Sequence, residues 1–423
     1  MEKLKLDRFY SGQYHSSLND GCALLFSFFL PLHQIVSTGF LILWIAFVFM
    51  RPKATDFKGK GVIVFLPTIL FLCYGVSIFF STNNDFSILA RKLSLIVLPV
   101  IFYRSRISLD FANRLLVWFV YGLLAASIFC LFRALYCSLI LVDGQIIFKA
   151  NVEEGRGFIE SILYGGNYFF GRDLSYFHQT VYFSMYLCAG IAILLQKSNL
   201  FKLNFKFFSI TLFIIMIFLL SNKAGIVTLF AVLILYFLTS GIRLDKKVFL
   251  VILVLLGSLL FIKTNPRFEL DLTKILNGEL VINKNARYGF ATRMLSWDAS
   301  VELIKGSPLL GYGAGDTQEA LNTVYKEKGY VHPLREQYNA HNQFLQSWLE
   351  KGLLGLIVFI SIMGIIVRRA FINKQNGFLL LSIGAILMIN ALFESYLNRY
   401  SGISFFTFFC CLALTSSTEW DEN

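Results

Sequence analysis

The stretch with the most chemical potential runs Ala340-His341-Asn342-Gln343-Phe344-Leu345-Gln346-Ser347-Trp348-Leu349-Glu350-Lys351-Gly352-Leu353-Leu354-Gly355. Imidazole exchanges a proton near neutral pH, so a histidine at the edge of an apolar run can act as a general base on a hydroxyl. Positions 341, 345, 348, 352 and 355 share one helical face. His341 would then head a stripe whose lower part, Gly352 and Gly355, admits close helix packing. A lone histidine at such a boundary is more often an interfacial hydrogen bonder, so the surrounding pattern must decide its role.

Cations form the second group. Arg91, Lys92, Arg133, Arg172 and Lys223 all fall at the ends of apolar runs. Singly, each reads as a side chain that snorkels to lipid headgroups or pairs with Glu394. Together they suggest a site for a polyanionic headgroup on a lipid tail, such as a polyprenyl diphosphate. Lys223 is the most informative, because Ser221 and Asn222 predict a tight turn and cap that leave its ammonium beside free N–H groups at a helix start.

The elements that position these residues are apolar. The 423 residues are 56% hydrophobic and include 45 Phe, and the mean hydropathy is +0.65. A soluble domain, by contrast, is about 45–50% apolar even with glycine counted. Apolar spans lie near 21–36, 38–50, 61–80, 88–103, 111–142, 176–196, 207–220, 223–241, 247–262, 342–367, 376–395 and 400–415. Runs of this kind suit helices crossing a hydrocarbon core about 30 Å thick. The expectation is an all-α polytopic membrane protein of about 12 transmembrane helices. Residues 1–262 form an N-terminal bundle, 263–340 a loop domain, and 341–423 the last three helices.

Charge sets the orientation. With the N-terminus inside, each inner segment carries at least three Lys or Arg, among them Arg51, Lys53, Lys58 and Lys60, and later Arg368, Arg369 and Lys374. The outer turns near 37, 82 and 222 carry almost none outside the helix tips, as the positive-inside rule requires. Both termini are then cytoplasmic, and the large loop between helices 9 and 10 is periplasmic. The net charge of +12 follows from the same asymmetry and gives no reason to invoke nucleic acid. Met1 to Gly21 is polar and basic, without the pattern of a cleavable signal. In the loop, Met294, Trp297, Val301 and Ile304 predict an amphipathic helix over 291–305, stopped by Gly306 and Pro308. The remainder reads as irregular.

Other candidates carry less. The seven cysteines fall in apolar runs and read as small membrane hydrophobes, and no zinc, paired-carboxylate or Ser-His-Asp pattern is visible. Gly311-x-Gly313-x-Gly315 reads as a turn, since no strand precedes it. His178 and Tyr182 share a face near Arg172 and fit either ligand contact or aromatic packing at the interface.

His341-Asn342, followed by nine residues and Gly352-x-x-Gly355, resembles the signature of the O-antigen ligase family, which O-antigen polymerases and protein O-oligosaccharyltransferases share in looser form. Arg293-x-x-x-Trp297, Pro308-Leu309-Leu310-Gly311-Tyr312-Gly313-Ala314-Gly315 and Phe393-Glu394-Ser395 are similar to that family's loop and closing helices. The resemblance covers about 207–415 and implies transfer of a glycan from undecaprenyl diphosphate at the periplasmic face of the bacterial inner membrane, without nucleotide, metal or other cofactor.

It further implies His341 as base on an acceptor hydroxyl, and Arg293 and Lys223 on the diphosphate, where charge stabilisation is a large catalytic contribution. Arg91, Lys92 and Arg172 are further candidates for the diphosphate; Asn342, His178 and Glu394 are supporting ones. Lys223 stands where the family has arginine, and so lacks the bidentate fork. The acceptor, a lipid A core, a protein or a growing glycan, stays open, and with it the choice between ligase and polymerase, as does the oligomeric state. A transporter or flippase is the reading of another class, but it predicts charges at the bilayer midplane.

Overall fold

The computed structural model describes residues 18–50, 62–105, 107–152, 155, 157–241, 252, 256, 284–286, 289–373 and 376–415. Eleven apolar helices occur among them. They are α1 (Leu18–Phe29), α2 (Gln34–Met50), α3 (Leu66–Phe79, entered through the 3-10 turn Val62–Phe65), α5 (Ser94–Ser105), α6 (Leu109–Ser138), α9 (Thr180–Gln196), α10 (Leu203–Leu220), α11 (Lys223–Thr239), α15 (Gln343–Ile372), α16 (Gly377–Phe393) and α17 (Tyr400–Thr415). Four segments, Val62–Phe79, Leu109–Ser138, Leu203–Leu220 and Gln343–Ile372, are by length and composition able to cross a membrane, and seven are shorter. Of the expected span at 247–262 only residues 252 and 256 are described, and most of 263–288 also lies outside the described residues.

α16 packs against α15, α11 and α9, while α17 packs against α5 and α3 against α15. Outward positions stay apolar, as at Ile42, Phe79, Phe132 and Leu354, which is what a lipid-facing surface requires. α15 inverts the pattern of a soluble helix. Its first turns bury Gln343, Gln346, Ser347, Glu350 and Lys351 and expose Leu354 and Ile357. Polar side chains belong inside a membrane bundle because lipid offers them no partners.

Short elements decorate the bundle: α4 (Ser87–Arg91), the strands β1 (Leu139–Val142) and β2 (Gln145–Phe148), α7 (Phe158–Tyr164) and α8 (Gly171–Leu174). The hairpin qualifies the all-α expectation. It is antiparallel, pairing Val142 with Gln145, and turns through Asp143 and Gly144, both at positive φ. That geometry favours Asp-Gly in a two-residue hairpin. The fifth apolar helix accordingly ends at Ser138, short of the expected 142.

The loop domain holds more helix than expected. Besides α12 (Gly289–Gly306), where the sequence predicts a helix at 291–305, it contains α13 (Thr317–Lys328) and α14 (Val331–Arg335). α13 buries Leu321, Val324 and Tyr325, carries Lys326 and Lys328 in its last turn, and stops at Gly329 in the left-handed region. Lys328 staples it to α12, with Nζ 2.6 Å from Asp298 and also paired with Glu302.

Candidate functional site

Asn342 caps α15, its Oδ1 accepting from the backbone N–H groups of Phe344 at 2.9 Å and Leu345 at 3.2 Å. Immediately before the cap, His341 adopts φ 44°, a left-handed conformation that costs a non-glycine residue energy and has to be held by its surroundings. Three contacts hold it. The His341 N–H donates to Asn339 Oδ1 at 2.9 Å, its carbonyl accepts from Trp297 Nε1 at 3.5 Å, and the Tyr338 ring meets the imidazole edge-on at 5.1 Å between centroids.

The held imidazole faces a carboxylate. His341 Nδ1 lies 3.4 Å from Glu394 Oε2, and the Glu394 side chain is only 8% exposed. Glu394 follows α16 at its C-cap, and its neighbour Ser395 accepts the Asn342 N–H at 3.3 Å. The two tips are therefore pinned together by backbone as well as side chain. Arg293, on α12, donates from Nε to the Phe393 carbonyl at 3.0 Å. Burial lowers the pKa of this guanidinium, while Glu394 and Tyr338 act in the opposite sense. Arg293 and Arg399 both act electrostatically on Glu394. The result is an imidazole 3.4 Å from a buried carboxylate on which the charges of Arg293 and Arg399 act, an arrangement able to accept a proton beside positive charge.

Lys223 reaches the same end of the bundle by its helix. Ser221 ends α10 at φ 50°, Asn222 Oδ1 accepts the Gly225 N–H at 2.8 Å, and α11 begins at Lys223. Asn390 Nδ2 donates to Thr228 Oγ1 at 3.1 Å across α16 and α11. That bond fixes the helices so that Lys223 and Glu394, each about a turn beyond it, lie at the same level.

The other candidates do not join the cluster. Arg91 is exposed and sits 4.0 Å from Asp85, and Arg172 is exposed on α8. Lys92 is 3% exposed, and its Nζ donates to the Leu397 carbonyl at 2.6 Å. Expected at a diphosphate, its ammonium is instead committed to internal contacts. His178 is buried as well, with Nδ1 2.8 Å from Ser401 Oγ and its ring against Tyr186 at 5.1 Å between centroids, which makes it part of the α9–α17 packing. Sequence reasoning missed Tyr338 and Arg399. Arg399 had a readable signal, since it is a cation five residues from Glu394 at the same helix tip; Tyr338 had none.

The glycine stripe also differs from expectation. Gly352 has φ 64° and ψ −167°, which breaks α15, so 341–355 is not one continuous face. Into the break fits the loop after α12: Tyr312 N–H donates to the Leu349 carbonyl at 2.7 Å and Leu353 N–H to the Leu309 carbonyl at 3.1 Å. A Cβ on Gly352 would stand 2.1 Å from Leu309 O, and one on Gly311 2.4 Å from Leu349 O. The adjoining turn docks on the end of α3, where Gly315 N–H donates to Ser81 Oγ at 3.1 Å and Asp316 accepts from Thr82 N–H at 2.6 Å and Asn83 N–H at 2.8 Å.

Residues 208–360 match the family model described as O-antigen ligase. This stretch contains Lys223, Arg293 and His341 and ends before Glu394. The chain is 27% identical over 224 residues to the O-antigen ligase of Salmonella typhimurium, covering 51% of this chain and 52% of that protein. It is 26% identical over 124 residues to an uncharacterised protein of Haemophilus influenzae, covering 28% and 31%. The chain thus spans about half and about a third of the length of these curated relatives.

Proposed function

We propose that this protein is a membrane glycosyltransferase that moves a glycan from undecaprenyl diphosphate to an acceptor hydroxyl at the periplasmic face of the inner membrane, in the manner of an O-antigen ligase. The observation that carries the reading is the His341–Glu394 pair at 3.4 Å. A carboxylate on Nδ1 orients the imidazole and favours the tautomer that leaves Nε2 as proton acceptor. The acceptor oxygen attacks the anomeric carbon as its proton passes to His341 Nε2. The bond from that carbon to the diphosphate oxygen breaks, and undecaprenyl diphosphate departs as the anion. Arg293, with Arg399 and Lys223 at the same end of the bundle, supplies the charge that stabilises it. The acceptor in this reading is a lipid A core sugar, and the similarity of 208–360 to the O-antigen ligase family favours it over a growing glycan.

Resolving surface glycans after deletion of the gene tests the reading. Loss of a ligase leaves long lipid-linked polymer unattached, whereas loss of a polymerase leaves single units and replaces the proposed acceptor with another lipid-linked repeat. Complementation by His341→Ala should fail, and full glycan attachment by that variant would overturn the role of His341 as base.

A further inference from the structure

Two buried lysines, one buried glutamate and one buried tyrosine lie beneath the site and take no part in the chemistry just described. Lys92, Glu350 and Lys351 are each at most 7% exposed and Tyr74 is fully buried. Charges buried in a membrane bundle cost several kcal/mol unless paired, and two ammonium groups for one carboxylate is an expensive way to fill space.

Their contacts form two arms. In the first, the Ala340 N–H, one residue before His341, donates to Gln346 Oε1 at 3.0 Å. Gln346 Nε2 donates to Glu350 Oε1 at 2.8 Å, Lys351 Nζ to Glu350 Oε2 at 3.1 Å, and the same ammonium lies 3.6 Å from the centre of the Tyr74 ring. In the second, Lys92 Nζ holds the carbonyl of Leu397, three residues beyond Glu394, at 2.6 Å, and lies 4.0 Å from the centre of that same ring. Gln343 Oε1 closes the loop by accepting the Leu397 N–H at 2.7 Å.

We propose that Tyr74 is a positioning residue: its ring receives both ammonium groups and so sets the spacing between the His341 turn and the Glu394 tip. The proposal rests on the reading of His341 and Glu394 as the working pair. An aromatic ring can receive two like charges because each is drawn to its electron-rich π-cloud, and an aliphatic side chain of similar size offers no such attraction. Since His341 sits in a strained left-handed conformation, its place depends on what grips the chain on either side of it.

Two variants of the full-length, detergent-purified protein test this, Tyr74→Phe, which keeps the ring, and Tyr74→Leu, which removes it. The readout is the rate at which diethyl pyrocarbonate modifies His341 at fixed pH, followed by mass spectrometry of its peptide, alongside transfer kinetics. Tyr74→Leu is expected to expose His341 to faster modification and to lower kcat by about a hundredfold, the scale of a displacement of about 1 Å, with the KM for donor unchanged. Tyr74→Phe should match the parent protein in both.

An unchanged modification rate in Tyr74→Leu, or equal damage in Tyr74→Phe, would overturn the proposal. Should Tyr74→Leu fail to fold, Gln346→Leu, which cuts the first arm between Ala340 and Glu350, must show the same faster modification for the proposal to stand. The modification rate reports the His341–Glu394 pairing directly, so it decides the positioning role even if His341→Ala retains transfer, a result that would remove only the base assignment.

Discussion

At residue scale, the strain and the chemistry of His341 can be separated. Asparagine tolerates the left-handed conformation but cannot serve as base. His341→Asn is therefore expected to keep the thermal unfolding midpoint of the parent while losing transfer by about 10²–10⁴-fold, the usual contribution of a positioned base. A variant that lost both would indicate a structural role. Arg293→Lys keeps a charge but not the geometry that reaches the Phe393 carbonyl, whereas Arg293→Ala removes both. Donor KM should rise in the order parent, Lys, Ala, measured with purified lipid-linked glycan. Identical KM values in all three would remove Arg293 from the donor site. His341, Asn342 and Arg293 were legible in the sequence because motif and spacing survive in one dimension. Lys92 was not: a lysine at a helix end can point to headgroups or inward, and here a carbonyl and an aromatic ring on other segments turn it inward.

At the scale of elements, the break in α15 is the joint between bundle and loop domain. Gly352→Ala places a methyl against Leu309 O in backbone geometry reserved for glycine. The cost should be about 1–3 kcal/mol from the conformation alone, seen as a lowered unfolding midpoint and loss of transfer. An unchanged midpoint would mean that the joint is not under constraint. The Asp316 clamp on the end of α3 is sensitive to pH. Burial acts to raise its pKa, but hydrogen bonds from Thr82 and Asn83 outweigh this and hold it below the ordinary value. A depressed carboxylate contributes stability above its unfolded pKa, about 3.9, and that contribution disappears as pH falls through the lower folded value. Hydrogen exchange at residues 81–84 should therefore accelerate on acidification below about pH 4 in the parent and lose this dependence in Asp316→Asn. Both α13 and the β1–β2 hairpin had readable signals, a Leu321-Val324-Tyr325 stripe ending at Gly329 and an Asp143-Gly144 turn, but the loop around α13 made it look irregular and the apolar run into 139–142 made β1 look like more of the preceding helix.

For the whole molecule, the charge distribution proposes sidedness. Gly144→Cys and Lys328→Cys should react with an impermeant maleimide in intact spheroplasts, and Ser198→Cys only after permeabilisation, each in a background lacking the native cysteines. Reaction of Ser198→Cys from outside would reverse the topology and with it the periplasmic placement of the site. The packing of α16 among α15, α11 and α9 gathers onto one end of the bundle residues as distant in sequence as Lys223 and Glu394.

The sequence by itself determined that the chain is a helical membrane protein, because hydrophobic runs and flanking charges act locally and need no partner to be read. It also determined which histidine and which loop arginine to consider. Only the tertiary structure decided that His341 faces Glu394, that Lys92 and His178 belong to the interior, and that Gly352 breaks its helix to admit the loop. Each of these is a contact between segments far apart in the chain, and side-chain direction at a helix tip is set by whatever the fold brings opposite it.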